Sequence, residues 1–265
     1  MEITSRDNSL LRQARAVRDG KIEEQIFVEG LRLCGEALRS QLEIEAVIVS
    51  EELLRKERVA GVIQELSQAS KRFASVSEKL LESVSYTKTP QGIIVLAERP
   101  EASESRLAAQ LDAKPLLVVL HQINNPVNVG AILRTSEAAG AAGVITTKNT
   151  SDPFSPKSLR GAMGSAFRLP IWSGPAYSDV IDWCRQRGIK TICADVDGTT
   201  SYTEIDWTGP SALILGPEST GLTPEELELA DHGVSIPMKG MAESLNVAVA
   251  TGVLLFEAAR QRSVA

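Results

Sequence analysis

Three segments of this 265-residue chain bring polar side chains and small residues together directly after apolar runs. Asn124-Asn-Pro-Val-Asn-Val-Gly-Ala-Ile-Leu-Arg134 follows Leu116–Leu120, Gly216-Pro-Glu218 follows Ala212–Leu215, and Ser235–Asn246 leads into a helical pattern with Leu245, Val249, Val253 and Phe256 along one side. The carboxyl ends of parallel strands are where α/β proteins bind ligands. An amide, a carboxylate and a guanidinium gathered there are therefore candidates to hold and orient one. Structural readings stand beside this. Asn128 could cap the helix that follows, with Gly130 allowing close approach and Arg134 about one and a half turns in. Ser244 and Asn246 could cap the last helix or line a pocket at its start. Thr223, Pro224 and Glu226 have the spacing of a capping box, which explains them without any function. Gly216-Pro-Glu218, between a buried strand and that cap, has no such explanation.

Several chemistries are excluded. No Gly-Lys-Ser/Thr follows Gly216, and no GxGxxG occurs, so the common nucleotide fingerprints are absent. The only histidines, His121 and His232, have no partner at ligand spacing; both read as structural, and no metal is expected. Cys34, Cys184 and Cys193 are too few and too scattered for a disulfide framework, which points to a reducing, cytoplasmic setting. The N-terminal MEITSRDNSLLRQ lacks a signal peptide's apolar core, and no apolar stretch approaches membrane-spanning length. A net charge of −6 argues against a surface that binds nucleic acid everywhere, leaving local basic clusters.

The elements that must position these residues fall into two parts. Pro100–Ala113 is polar and small and reads as a linker between a domain over 1–99 and another over 114–265. In the first, Leu10, Leu11, Ala14 and Val17 recur at helical spacing, while Arg12, Arg15 and Arg18 form a basic stripe on another face. That stripe is a solvated face or a phosphate contact. Ala46–Val49 and Gly92–Leu96 read as buried strands with a helix over 51–69 between them, giving an α/β sandwich. In the second, apolar runs at Leu116–Leu120, Gly143–Thr146, Lys190–Ala194, Ala212–Leu215 and Gly233–Ile236 alternate with helical patterns that include Val129–Ala139 and Tyr177–Arg187. This predicts an α/β domain with a mostly parallel sheet.

Taken together, NxGAILRT, LGPESTG and SIPMKGMAESLNVAVATGVLLFEAARQR resemble the three ordered motifs of the SpoU (TrmH-type) RNA ribose 2′-O-methyltransferases of the SPOUT superfamily, over roughly Lys114 to Arg262. Phe27-Val-Glu-Gly30 and Thr89-Pro-Gln-Gly92 resemble the smaller α/β/α substrate-binding domain found in many members. The resemblance implies a C-terminal trefoil knot, an exception to the rule against threading. It implies S-adenosyl-L-methionine as cofactor, contacted by Leu215, Gly216, Ile236, Met238 and Leu245. It also implies a catalytic set of Asn128, Arg134, Glu218, Ser244 and Asn246, and a homodimer whose sites form at the subunit interface. Methyl transfer from a sulfonium demands alignment of the ribose hydroxyl and help with its proton. Arg134 would supply that help as base or by stabilising the developing alkoxide. RNA contacts are expected from Arg12, Arg15, Arg18, Lys157, Arg160 and Arg168. A structured ribosomal RNA of the 23S type is favoured as substrate; transfer RNA, or an RNA-binding protein of the same fold without turnover, are the alternatives.

Overall fold

Leu116–Leu120 has no polar side chain to offer water, so it must lie where both faces of a sheet are covered. In the computed structural model of the protein, which describes residues 1–264, it is a fully buried strand inside a parallel sheet. The chain divides into two compact units, one made of Met1–Pro100 with Phe154–Arg168, the other of Glu101–Pro153 with the residues from Leu169 onward.

Unit 1 contains β1 (Glu2–Ile3), α1 (Ser9–Arg18), β2 (Gln25–Glu29), α2 (Leu31–Arg39), β3 (Ile44–Ser50), α3 (Glu51–Leu54), α4 (Ala60–Ala69), β4 (Ser70–Val76), α5 (Glu78–Glu82) and β5 (Ile93–Glu98). Its sheet order is β1-β4-β3-β5-β2, with β5 antiparallel to both β2 and β3. The predicted stripe of Leu10, Leu11, Ala14 and Val17 packs on Phe27, Ile48 and Leu96. The helix expected over 51–69 is broken into α3, a 3-10 turn at Glu57–Val59 and α4. Arg55-Lys56-Glu57-Arg58 has no apolar side chain to bury, so packing resumes only at Val59.

Unit 2 contains α6 (Glu104–Ala108), β6 (Leu116–Leu120), α7 (Pro126–Ala138) and β7 (Gly143–Thr146). After α8 (Pro156–Ala162) and α9 (Ser165–Arg168), which pack in unit 1, come β8 (Ile171–Ser173), α10 (Tyr177–Gln186), β9 (Lys190–Ala194), β10 (Thr200–Ser201), β11 (Ser211–Leu215), α11 (Pro224–Leu229), β12 (His232–Ser235) and α12 (Val247–Ser263). The seven strands run in the order β10-β12-β9-β11-β6-β7-β8, and every pairing is parallel. This is the mixed α/β architecture with a parallel sheet that the apolar runs predict.

Two expectations about organisation change. The stretch 100–113 is no free linker: Ser103 caps α6 by accepting from Arg106 N–H, and Leu107 is fully buried. A Cβ at Gly143 would collide with Leu107 Cδ1, so the glycine is what lets the leucine in. The segment 154–168, expected with the C-terminal domain, belongs to unit 1. Its buried Leu159, Ala162 and Phe167 give it an apolar side, α8 packs against β2, and Arg168 pairs with Glu36 of α2 at 2.7 Å. The three cysteines are free and buried, and burial pushes the thiols of Cys184 and Cys193 up to about 12.

Candidate active site

The start of α7 is set by Asn125, whose side chain accepts from Val127 N–H at 3.0 Å, and by Pro126 in the first turn, which has no N–H to satisfy. The cap is therefore Asn125 and not Asn128, and the helix begins three residues earlier than its apolar pattern predicts. Asn128, inside the first turn and 7% exposed, is free to bond elsewhere. Its Nδ2 donates to Glu218 Oε1 at 2.8 Å. An ionised carboxylate only accepts, so this bond fixes which way the amide faces. Asn128 Oδ1 then accepts from Asn246 Nδ2 at 3.4 Å, while Asn246 Oδ1 caps α12 through Ala248 and Val249 N–H. Of the two readings of Asn246 the cap is realised, and the same side chain also bonds Asn128.

This Glu218–Asn128–Asn246 chain joins the carboxyl ends of β6 and β11 to the start of α12. Glu218 is exposed and Asn128 orients it; its second oxygen takes no hydrogen bond among the described residues. The loop bearing it folds back tightly, because a Cβ at Gly216 would lie 2.9 Å from both the backbone nitrogen and Cγ of Leu222. The Thr223–Glu226 capping box predicted from spacing closes the loop and starts α11. At the far end of α12, Arg262 donates to the carbonyls of Lys114, Trp207 and Gly209 at 2.6–2.8 Å, which fixes the helix against the sheet's edge loops.

The remaining candidates stand apart from this chain of bonds. Arg134 lies more than two turns into α7, exposed, with no hydrogen bond or ion pair among the described residues. Ser244 is exposed and bonds to nothing described. Leu215 is buried in β11, and its carbonyl accepts from His121 N–H at 2.9 Å. Gly216, Ile236, Met238 and Leu245 follow the ends of β11 and β12. Among the described residues their backbone N–H and C=O groups take no partner, and Met238 and Leu245 leave over a third of their surface exposed.

The basic residues sort by unit. Arg12, Arg15, Arg18, Lys157, Arg160 and Arg168 all lie in unit 1, whereas the polar network lies in unit 2. Arg15 Nη2 donates to Arg6 O at 2.8 Å, and Arg18 bonds Asp19 and the carbonyls of Val84 and Ser85. Arg12, Lys157 and Arg160 are exposed and make no side-chain bond among the described residues. Sequence periodicity could not separate these two groups, since Arg15 bonds the turn before its helix and Arg18 a loop some 66 residues away. Among the described residues no three His, Cys, Asp or Glu side chains are placed to hold a metal ion, and no helix is long and apolar enough to cross a membrane.

A parallel α/β sheet with an oriented amide–carboxylate chain at the carboxyl ends of its strands has the form of a ligand-binding domain. The SpoU rRNA methylase family model matches residues 115–256, and the MRM3-like substrate binding domain matches residues 10–95. The chain belongs to the SpoU rRNA methylase family. It is 33% identical, over 73% of its length and 68% of the relative's, to the 23S rRNA (uridine(2479)-2′-O)-methyltransferase of Streptomyces viridochromogenes. It is 32% identical to the 23S rRNA (guanosine(2553)-2′-O)-methyltransferase RlmP of Bacillus subtilis, covering 87% of this chain and 86% of that one. Among solved structures, the AdoMet-bound rRNA methyltransferase from Sinorhizobium meliloti superposes with a TM-score of 0.85 at 30% identity, covering 98% of this chain and 97% of that one.

Proposed function

We propose that the protein is an S-adenosylmethionine-dependent RNA methyltransferase that modifies a ribose 2′-hydroxyl in ribosomal RNA. The observation that carries this reading is the Glu218–Asn128–Asn246 chain of hydrogen bonds, built from all three motif segments at the carboxyl edge of the sheet. The main-chain groups of Gly216, Ile236, Met238 and Leu245 fit the cofactor's adenine edge and methionine chain. S-adenosylmethionine supplies, when bound, a methyl group on a sulfonium whose departure leaves a neutral thioether. The protein's task is then to align the ribose oxygen and take up or offset its charge. Asn128 and Asn246 hold Glu218, and Glu218 with Arg134 positions the hydroxyl. Ser244 is assigned to substrate positioning, and the strand end at Leu215 sets where the cofactor loop begins.

A homodimer completes this assignment. Arg134 is exposed and unpartnered on α7, and α12 packs against α7. The outward side of α12 bears Val249 and Phe256, each more than half exposed, while its inward side buries Leu254, Leu255 and Ala258. A helix apolar on both sides is a buried helix. A second copy of the chain suits that surface and brings further groups to the site. The knotted path is supported by the return of the chain from β12, near one edge of the sheet, to α7, which packs on β7 near the other edge. Unit 1 serves as the RNA-binding part through Arg12, Lys157 and Arg160, and the cytoplasm is the assigned compartment.

The test is incubation with methyl-labelled S-adenosylmethionine and unmodified transcripts of large-subunit ribosomal RNA and of transfer RNAs, followed by mapping of alkali-resistant ribose methylation. Label in ribosomal RNA is the expected result. Label confined to transfer RNA overturns the substrate class, and cofactor binding without label in either RNA or in ribosomal subunits overturns the enzymatic reading.

A further inference from the structure

His121 and Glu226 lie outside the polar chain described above, yet they form the more deeply buried contact between the same two segments. The His121 side chain is 4% exposed and that of Glu226 is 22% exposed. The imidazole stands just past the end of β6, and its Nε2–H donates to Glu226 Oε1 at 2.9 Å. Gln122 Nε2 lies 3.2 Å from the same ring nitrogen, but the carboxylate can only accept, so the shorter Glu226 contact takes the proton of Nε2 and the Gln122 amide nitrogen finds no acceptor there. Nδ1 shares a hydrogen bond of 3.0 Å with Thr147 Oγ1 at the end of β7, and the ring tilts against Tyr177 at 4.7 Å between centroids. Tyr177 in turn donates its hydroxyl to the Glu226 carbonyl at 3.0 Å.

Glu226 divides its two oxygens between two tasks. Oε1 faces His121, while Oε2 accepts from Thr223 N–H at 2.9 Å and so closes the loop that begins at Gly216. Within the loop, Gly221 N–H donates to Pro217 O and Thr220 Oγ1 to Gly221 O, and near its end Leu222 packs against the buried cluster that holds Ile214 and Tyr177. On the other side, the backbone leaves His121 through Gln122 at φ 54°, a left-handed conformation that a residue with a Cβ adopts at a cost. Such a turn persists where its surroundings fix both ends. Two bridges thus join the β6–α7 segment to the β11–α11 segment: Asn128 to Glu218, and His121 to Glu226.

We propose that His121 is a positioning residue, whose bond to Glu226 holds the loop Gly216–Thr223 in the closed form that receives S-adenosylmethionine and presents Glu218 to Asn128. This rests on the methyltransferase reading. Freed of the anchor, the loop spends less time closed, and apparent cofactor affinity falls in proportion to the lost fraction.

The experiment is calorimetric titration of S-adenosylmethionine into the full chain and its variants, with KM for the cofactor and kcat measured alongside. Loss of the anchor in His121→Ala is expected to raise Kd and KM about tenfold, as for a loop closed one-tenth of the time, with kcat at saturating cofactor within about threefold of the parent. The longer amide of His121→Gln reaches toward Glu226 and restores most of the affinity, whereas His121→Asn, which reaches only toward Thr147, does not. Combining His121→Ala with Glu226→Gln weakens binding no further than His121→Ala alone, as for two halves of one contact. Unchanged Kd in His121→Ala, equal losses in His121→Gln and His121→Asn, or a loss in kcat at unchanged Kd each overturn the assignment. Should His121→Ala fail to fold, the Gln and Asn pair decides. If the unmodified protein takes up no S-adenosylmethionine, the methyltransferase reading itself fails and takes this assignment with it.

Discussion

Arg134 carries the sharpest demand at the scale of single residues. A guanidinium stays protonated in water to a pH above about 12, so its natural contribution is a fixed positive charge beside the oxygen that becomes nucleophilic. Arg134→Ala is expected to lower kcat by about 10² to 10³, the usual loss when one preorganised charge or donor is removed from a developing oxyanion. Cofactor Kd from calorimetry and mass from light scattering should stay where they were. Turnover retained within about threefold would remove Arg134 from the reaction. The types of the network residues were legible in the sequence, because Asn128, Glu218 and Asn246 each stand after an apolar run. Their bonding was not. Asn125 takes the capping role assigned to Asn128, and Pro126 after it was the signal, since proline favours the first helical turn. His121 read as structural because its partners, Thr147, Tyr177 and Glu226, are 26, 56 and 105 residues away along the chain.

Among elements, α6 tests how far the polar stretch 100–113 is structural. Leu107 is its one fully buried side chain, seated over Gly143, the first residue of β7. Leu107→Ala leaves a cavity under a strand that borders β6, at an expected cost of about 2–5 kcal/mol. The measurement is chemical denaturation followed by tryptophan emission, because Trp183 Nε1 donates to Glu104 Oε1 of the same helix at 2.6 Å. A loss below about 0.5 kcal/mol, as for a surface substitution, would return the stretch to the role of a loose tether. Five strands of the second half were legible to within a residue from their apolar runs, whereas β8 and β10, of three and two residues, are too short to carry such a run. Helices bounded by distant contacts were less so: the break at Arg55–Arg58 and the capture of 154–168 by unit 1 depend on partners that local periodicity does not contain.

For the whole molecule the division of labour between the two units and the pairing of two chains make separate demands. If α12 is covered by a second copy, Phe256→Glu buries a charge in that interface, which costs far more than the ring's lost area. The variant should elute and scatter as a monomer, and methyl transfer should fall with dimer content; a dimer of unchanged stability would move the interface off α12. The net charge of −6 constrains RNA binding in a different way, because affinity must come from a few cations that outcompete the acidic remainder. Lys157 and Arg160 are two such cations, exposed on α8 in unit 1 and free of internal partners among the described residues. Replacing both with glutamine removes two phosphate contacts without adding repulsion, and the slope of log affinity against log salt is expected to flatten by about 2. RNA KM rises at physiological salt, while Kd for S-adenosylmethionine, set in unit 2, does not move. An unchanged salt slope would place the RNA path elsewhere on unit 1, with Arg12 the next cation to replace. A parallel loss of cofactor affinity would instead mean that the charges act through folding and not through phosphate contact.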